Sequence, residues 1–457
     1  MNDTICAIST PPGLGAIALI RAAGEQAFDI AGKLFSAKTD FQNIPPQMAK
    51  FASIYDGEQL IDQVVVTKFA APHSYTGEDM VEISCHGSIY IQKRILELLI
   101  EHGCRMATPG EFTQRAFVNG KMDLPQAEAI ADLIDSQSET THKLAINQLS
   151  GNFSHKIHEL REQFVKMASL IELELDFSEE DVEFADREAL QEILQSLKKE
   201  VARLIQSFKI GNVLKNGIPT AIIGKPNVGK STLLNTILQN DRAIVSNIPG
   251  TTRDTIEDTF IINGTLYRFI DTAGIRESED EIESYGIQRT YQAIEQASIV
   301  LYLFDITTET PDSVRQEIRE FKEHVDMSDK HLILIANKMD ELEYIPKSYK
   351  ECHDLDLLLI SAKRHVNIST IEERLSSFVE QYKIQDHSLL TNERHYALLR
   401  SIDSTIDRIG QGIQDSIPTD LLAEDVRAAL YDLGQLTGTI STDDILNNIF
   451  EKFCIGK

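Results

Sequence analysis

Cysteine is scarce in this chain. The five residues Cys6, Cys85, Cys104, Cys352 and Cys454 are scattered, odd in number and free of CxxC pairs. That argues against a disulfide framework and a zinc cluster, and fits a reducing cytoplasm. No window reaches the ~18 consecutive apolar residues of a membrane span. The first residues, MNDTICAISTPPGLG, hold neither a basic n-region nor a long apolar core, so no secretory signal is expected. Basic residues are few as well: 44 Lys and Arg stand against 71 Asp and Glu, a net charge of -27. A protein that held nucleic acid unaided would usually present a basic face, because phosphate contacts dominate that affinity. The deficit points either to a partner that holds any polyanion or to solubility alone.

What is present is the composition of a soluble protein, 42% hydrophobic and 25% charged over 457 residues, enough for about two to four domains. Residues 1–119 mix short apolar runs (AIALIR, QVVVTKFA, MVEISCHG) with turn signals at Pro11-Pro12-Gly13 and Pro109-Gly110, a small α+β unit. Residues 120–212 turn helical. Leu124, Ala127, Ile130 and Ile134 recur at helical spacing after Pro125 opens a helix, and Ile157, Leu160, Phe164, Met167 and Ile171 continue it as packing core. The acidic run 172–188 reads as a solvated face rather than a metal site. Over 213–381, runs such as TAIIG, SIVLYLFD and HLILIAN alternate with helical segments, which predicts βα units and a mostly parallel sheet. Asn263-Gly264 between two apolar runs predicts an antiparallel hairpin at one edge. Residues 382–457 are helical again. The expected architecture is multidomain α+β: an N-terminal α+β domain, a helical bundle made of two chain segments, and an α/β domain inserted between them.

The strongest motif is GKPNVGKS, Gly224 to Ser231, directly after the strand-like run TAII. In a strand–loop–helix context its glycines let backbone N–H groups wrap phosphates, and Lys230 supplies a point charge to the β- and γ-phosphates. The Ser231 hydroxyl can ligate Mg²⁺, and the helix N-terminus adds a favourable dipole. Asn227, Val228, Gly229 and Thr232 complete the loop. Asp271-Thr272-Ala273-Gly274 follows, with an aspartate for the Mg²⁺ shell and a glycine N–H for the γ-phosphate. In NKMD, Asn337 to Asp340 with Lys338 between, the Asp340 carboxylate can accept from guanine N1–H and its 2-amino group; adenine has neither donor. Ser361-Ala362-Lys363 can offer backbone to the guanine oxygen. PGTTRD, Pro249 to Asp254, occupies the place of a switch loop, where a threonine completes the Mg²⁺ shell only when the γ-phosphate is present. Ile275 stands directly after the DTAG element, where a Ras-type enzyme has a water-orienting glutamine. Either hydrolysis is very slow or another group does the work. Glu277, Glu279, Asp280, Glu281 and Glu283 are the acidic residues in reach.

Together with PPGLGAIALIR, SYTGED, PGEFTQRAFVNGKMDLPQAEAIADLID and the terminal FCIGK, these motifs give a chain that resembles, end to end, the MnmE (TrmE) family of bacterial GTPases of tRNA wobble-uridine modification. The resemblance implies an N-terminal domain that binds 5-formyltetrahydrofolate or methylenetetrahydrofolate and holds a homodimer. Arg21, Glu82, Lys121 and Lys457 match the folate contacts. It implies K⁺-stimulated hydrolysis, with Asn227, Ser246, Ile248 and Thr251 matching K⁺ ligands and Ser231 and Thr252 matching Mg²⁺ ligands. Asn247, Pro249 and Gly250 lie in the same nucleotide-binding stretch. Among the acidic candidates it selects Glu283 for positioning water, with Arg253 as a further catalytic candidate. The implied partners are an FAD-dependent protein, MnmG, in a heterotetramer, and tRNA, modified with an aminomethyl or carboxymethylaminomethyl group at C5 of the wobble uridine. No membrane is implied.

Cys454, fourth from the end, stands where a prenylation cysteine would. CIGK has a glycine at the second middle position and a terminal lysine, neither typical of a prenylation box. Two readings remain: a thiol activated by Lys452 and Lys457 for chemistry on the one-carbon unit or uridine, or an inert thiol on an ordered tail. A ribosome-assembly switch without modification chemistry is the alternative function, although no RNA-binding module such as a KH domain follows the nucleotide motifs.

Overall fold

A computed structural model of the chain describes residues 3–36, 39–177, 187–239, 259–270, 283–352, 354–381, 389–415, 417–451 and 453–456. It divides into two compact units. One comprises Met1–Ile134, Gln148–Lys198 and Ser401–Lys457; the other comprises Asp135–Asn147 and Lys199–Arg400.

The first unit is built on six strands: β1 (Ile5–Ile8), β2 (Ile17–Ala23), β3 (Ala49–Asp56), β4 (Gln59–Phe69), β5 (Met80–His86) and β6 (Arg105–Met106). Their order is β3-β4-β5-β2-β1-β6, antiparallel throughout except for the β1–β6 pair. Alternation divides each strand between two faces. Ala18, Ile20, Val64, Val66, Val81 and Ile83 point into a core closed by Ile95 and Leu99 of helix Ile89–Glu101. On the other face the register aligns Thr67, Glu82 and Arg21 across β4, β5 and β2, and aligns Phe51, Val65, Ser84 and Leu19 in a second row.

Helices complete this unit. In Asn152–Phe177 the residues Ile157, Leu160, Phe164, Met167 and Ile171 are all at most 2% exposed, as their spacing predicts. Each contributes about 1.5–3 kcal/mol relative to exposure. This helix packs on Thr419–Thr437, which buries Leu422, Val426, Leu433 and Leu436 and stops at Gly438 in the left-handed region. The two helical segments of the chain thus share one core. Leu124 and Ala127 are fully buried, but Ile134, expected on the same stripe, is 45% exposed, because helix Leu124–Asp135 is near its end there. Helix Arg187–Asn216 continues past residue 212, the expected end of the first helical segment. Of the acidic run, residues 178–186 lie outside the described residues.

The second unit carries strands β7 (Ile218–Ile223), β8 (Thr259–Ile262), β9 (Thr265–Phe269), β10 (Ile299–Asp305), β11 (His331–Asn337) and β12 (Leu357–Leu359). Their order is β12-β11-β10-β7-β9-β8. All pairs are parallel except β8–β9, whose turn places Asn263 at φ 48 and Gly264 at φ 77, the conformation an Asn-Gly hairpin requires. β10 is buried at every position, as a strand covered on both faces must be. The strand order reverses at β7, and the loop after β7 therefore opens into the crevice at the carboxyl ends of the strands, where α/β sheets bind ligands.

Candidate functional sites

The loop leaving β7 turns at Gly224, where φ is 144 and a Cβ would stand 2.0 Å from the Leu303 carbonyl oxygen. It passes Asn227 in the left-handed region, φ 64, and enters helix Lys230–Gln239 at Gly229, φ 100. Asn337, 3% exposed at the end of β11, holds this loop. Its Nδ2 donates to the Val228 carbonyl at 2.8 Å, and its Oδ1 accepts from the Ala362 N–H at 2.9 Å. One amide therefore joins three of the four motifs. A Cβ at Gly229 would meet Asn337 Nδ2 at 2.5 Å, so only glycine lets the loop pass so close.

Lys230 is folded onto its own loop. Its Nζ donates to the carbonyls of Gly224 at 2.7 Å and Lys225 at 2.8 Å, and burial lowers its pKa. Ser231 and Thr232, in the first turn, are exposed. In the NKMD segment, Lys338 adopts φ 67 and its Nζ lies 2.7 Å from Asp305 Oδ2. Burial opposes ionisation of Asp305, but Lys338 and Thr307 hold its pKa below the ordinary carboxylate value. The carboxylate of Asp340 accepts from the Ser361 hydroxyl at 2.5 Å, and Arg364 lies 3.4 Å away. The Ser361 bond is the main cause of a lowered Asp340 pKa. A carboxylate kept ionised there is the acceptor that guanine needs. Lys363 is exposed beside it.

Asp305 was not singled out from the sequence; its signal is an aspartate closing an apolar strand, in SIVLYLFD. Ser246, Asn247, Ile248, Pro249, Gly250, Thr251, Thr252, Arg253, Asp271, Thr272, Ala273 and Gly274 lie outside the described residues. Glu283 opens helix Glu283–Gln296.

In the first unit, Arg21 and Glu82 meet on the open sheet face, Nε to Oε1 at 2.8 Å. The Arg21 guanidinium also lies 5.6 Å from the Tyr75 ring centroid. Tyr75 shares a 2.8 Å hydrogen bond with Thr113, and its phenol is pushed up chiefly by burial. Lys121 donates instead to the Pro72 carbonyl at 3.0 Å, and its stem runs past Gly77. Arg21 and Lys121 thus bear on the same 72–77 loop.

The tail docks on this domain. Gly456, φ 93, approaches so closely that a Cβ would stand 2.4 Å from the Ile8 carbonyl oxygen, and the Gly110 N–H points to the Cys454 carbonyl at 3.5 Å. The Cys454 side chain is exposed. Lys452 and Lys457 lie outside the described residues. Ser9, whose hydroxyl reaches the Gly456 carbonyl, and Gly110 were not marked by the sequence as tail contacts.

A strand, phosphate loop and helix joined through Asn337 to the NKMD and Ser361-Ala362-Lys363 turns define a P-loop guanine-nucleotide-binding protein of the Ras-like class. Residues 4–121 match the family described as GTP-binding protein TrmE N-terminus, and residues 124–454 match the MnmE helical domain. The chain is 49% identical over 459 residues to the tRNA modification GTPase MnmE of Cytophaga hutchinsonii, covering 100% of this chain and 98% of that one. It is 47% identical to that of Christiangramia forsetii and 48% identical to that of Bacteroides fragilis, each covering 100% of both chains. A partial likeness, at TM-score 0.26 and 23% identity, covers 35% of this chain and 98% of the G domain of the FeoB iron transporter of T. maritima. The chain belongs to the MnmE/TrmE family of tRNA modification GTPases.

Proposed function

We propose that this protein is a K⁺-stimulated, dimerisation-activated GTPase. With an FAD-containing partner, MnmG, it adds an aminomethyl or carboxymethylaminomethyl group at C5 of the wobble uridine of certain tRNAs, using a tetrahydrofolate one-carbon donor. The observation that carries the nucleotide part is the Asn337 junction, which brings the phosphate loop and the Asp340 carboxylate into one crevice. The domains read as 1–119 for folate and dimerisation, 120–212 and 382–457 for the bundle, and 213–381 for the G domain.

Hydrolysis transfers the γ-phosphoryl group of GTP to water, leaving GDP and phosphate. Binding begins when Lys230 exchanges the Gly224 and Lys225 carbonyls for phosphate oxygens, while the glycine-rich backbone presents N–H groups. Asp340 selects guanine. Ser231, exposed at the helix start, offers a hard oxygen donor suited to Mg²⁺, with Thr252 as the second ligand; Asn227, Ser246, Ile248 and Thr251 would hold K⁺. Bound there, the two cations would neutralise charge developing between the β- and γ-phosphates. Glu283 would orient the attacking water, with Arg253 as a further catalytic candidate.

In the first unit, the Arg21–Glu82 pair offers a cation for folate carboxylates and a carboxylate for pterin donors, and Lys121 and Lys457 are the further folate contacts that the family resemblance implies. The same open face exposes Ile17, Phe51 and Val65 by 66%, 64% and 42%, apolar surface suited to a second copy of the chain. Among the described residues no helix is long and apolar enough to cross a membrane, and we read the protein as cytoplasmic.

The test is wobble-base analysis of tRNA from a strain lacking the protein, with and without complementation, alongside GTP turnover in K⁺ and in Na⁺. Loss of the modified base that complementation restores, with faster turnover in K⁺, is expected. Normal wobble bases would overturn the modification role, and equal turnover in the two salts the potassium role.

A further inference from the structure

We propose that Lys225 is a positioning residue for nucleotide binding: held between Glu309 and Glu317, it fixes the backbone of the phosphate loop before a nucleotide arrives. The inference rests on reading that loop as the GTP site. Lys225 is the second residue of GKPNVGKS, and its side chain has no place in the motif's own chemistry. Its Nζ lies 2.6 Å from Glu309 and 2.5 Å from Glu317.

A lone surface ion pair contributes little, because ordering two long side chains opposes a screened attraction. This one differs in three ways. One ammonium is shared by two carboxylates whose side chains are only 12% and 19% exposed. Each carboxylate has a second donor already in place: the Ser313 hydroxyl reaches Glu309 at 2.6 Å, and the Tyr302 hydroxyl bonds Glu317. The backbone of Glu309 is itself held, its carbonyl accepting from Tyr349 at 2.9 Å. The carboxylates are therefore ordered by the fold, and Lys225 meets a prepared site. Burial opposes ionisation of Glu309, yet Lys225 and Ser313 hold its pKa below the ordinary value.

The need for such an anchor follows from Lys230. That lysine now satisfies the carbonyls of Gly224 and Lys225. When it turns to phosphate, both oxygens lose this donor and the base of the loop loses its internal tie. The Lys225 side chain holds the same residue from outside through the exchange. The segment it grips also carries Asp305, whose carboxylate holds Lys338 of the guanine-reading loop at 2.7 Å. The five residues Asp305 to Glu309, starting with the last of β10, thus touch the base loop at one end and the phosphate loop at the other.

The experiment titrates the full-length protein with fluorescent mant-GDP and mant-GTP, and follows GTP turnover and the melting midpoint. Lys225→Met should raise Kd for both nucleotides about tenfold, since a loop no longer preorganised must be ordered on binding. kcat at saturating GTP and the melting midpoint should stay near those of the parent. Lys225→Arg should restore most of the affinity, and Glu317→Gln should weaken it in the same direction. Kd values for Lys225→Met within about twofold of the parent would overturn the proposal. So would a loss of affinity that tracks a lower melting midpoint and that Lys225→Arg fails to rescue. Failure of the parent itself to bind either nucleotide would instead overturn the GTP reading beneath it.

Discussion

The hydroxyl of Ser9 donates to the carbonyl of Gly456 at 3.1 Å, closing a separation of 447 residues. The contact seats the FCIGK tail on the loop that follows β1. Gly456 carries it: its φ of 93 is strained for an L residue, and a Cβ there would stand 2.4 Å from the Ile8 carbonyl oxygen. Gly456→Ala should therefore undock the tail. Amide exchange and proteolysis of the last residues should accelerate, and wobble modification should fall about tenfold or more. GTP affinity should stay unchanged. Unaltered modification by a variant with a released tail would remove the tail from the reaction.

Cys454 poses a separate question, because its carbonyl faces Gly110 while its thiol is exposed. Cys454→Ser keeps the backbone and removes the nucleophile. If the thiol acts chemically, wobble modification in vivo should be lost while the tail's exchange protection is retained. Normal wobble bases would leave the residue a positional role only.

Asn337→Ala should be costly for both stability and binding. It removes the donor to Val228 and the acceptor for the Ala362 N–H, both buried. Two bonds lost and two groups left unsatisfied cost about 2–4 kcal/mol, read as a melting midpoint lower by at least about 4 °C. GTP binding should fall with it, because the phosphate loop and the Ser361-Ala362-Lys363 turn lose their common tie. A stable variant with parental affinity would show that the junction is incidental.

The order of elements was legible in the sequence where a local rule fixes it. Asn263-Gly264 predicted the hairpin, β-rich runs predicted the parallel strands, and the 157–171 stripe predicted a buried helix face. GKPNVGKS, NKMD and Ser361-Ala362-Lys363 are local too, and each lies at a strand end. Relations across the fold were not legible. Nothing in the sequence marks Asp305 as the partner of Lys338, or Glu309 and Glu317 as partners of Lys225, because each pair is set by which strands are neighbours. Ile134 has the periodicity of a core residue, but periodicity does not say where a helix runs out of partners. The tail's landing on Ser9 and Gly110 depends on the path of helix Asp443–Phe450, which no motif encodes.

Asp340 yields a pH prediction. Its folded pKa is lowered, first by the Ser361 hydroxyl, so the carboxylate form persists below the ordinary Asp value of about 3.9. What this ionised group contributes is complete above that value and is lost as pH falls through the depressed one. Guanine selection should thus hold between about pH 5 and pH 7. Ser361→Ala should move its loss to higher pH. Asp340→Asn should weaken GTP binding by about a hundredfold or more, because an amide N–H then meets guanine donors. Competition between GTP and xanthosine triphosphate measures the switch; unchanged preference for GTP would deny Asp340 its role.

Arg115 is the residue whose removal should damage the first unit most. It is 1% exposed, and its guanidinium reaches Glu111 at 3.0 Å, the Asp3 carboxylate at 2.7 Å and Glu78 at 3.3 Å. Arg105 shares Glu111 and Asp3 from the outside. Arg115→Met leaves the buried carboxylate of Glu111 with one cation instead of two. Breaking a buried pair from one side costs about 3–5 kcal/mol, so the melting midpoint of this unit should drop clearly. Burial opposes ionisation of Glu111, but Arg105, the Thr108 N–H and Arg115 hold its pKa below the ordinary Glu value. Its stabilisation is therefore full above that value and fades as pH falls through the depressed one; in Arg115→Met the fading should begin at higher pH. Glu78 belongs to SYTGED, the segment whose Tyr75 lies beside Arg21, so affinity for 5-formyltetrahydrofolate should fall too. Calorimetry with that ligand, with GTP affinity as the control, separates the two effects. A variant that melts and binds as the parent does would show that the network adds nothing beyond what well-packed apolar side chains supply.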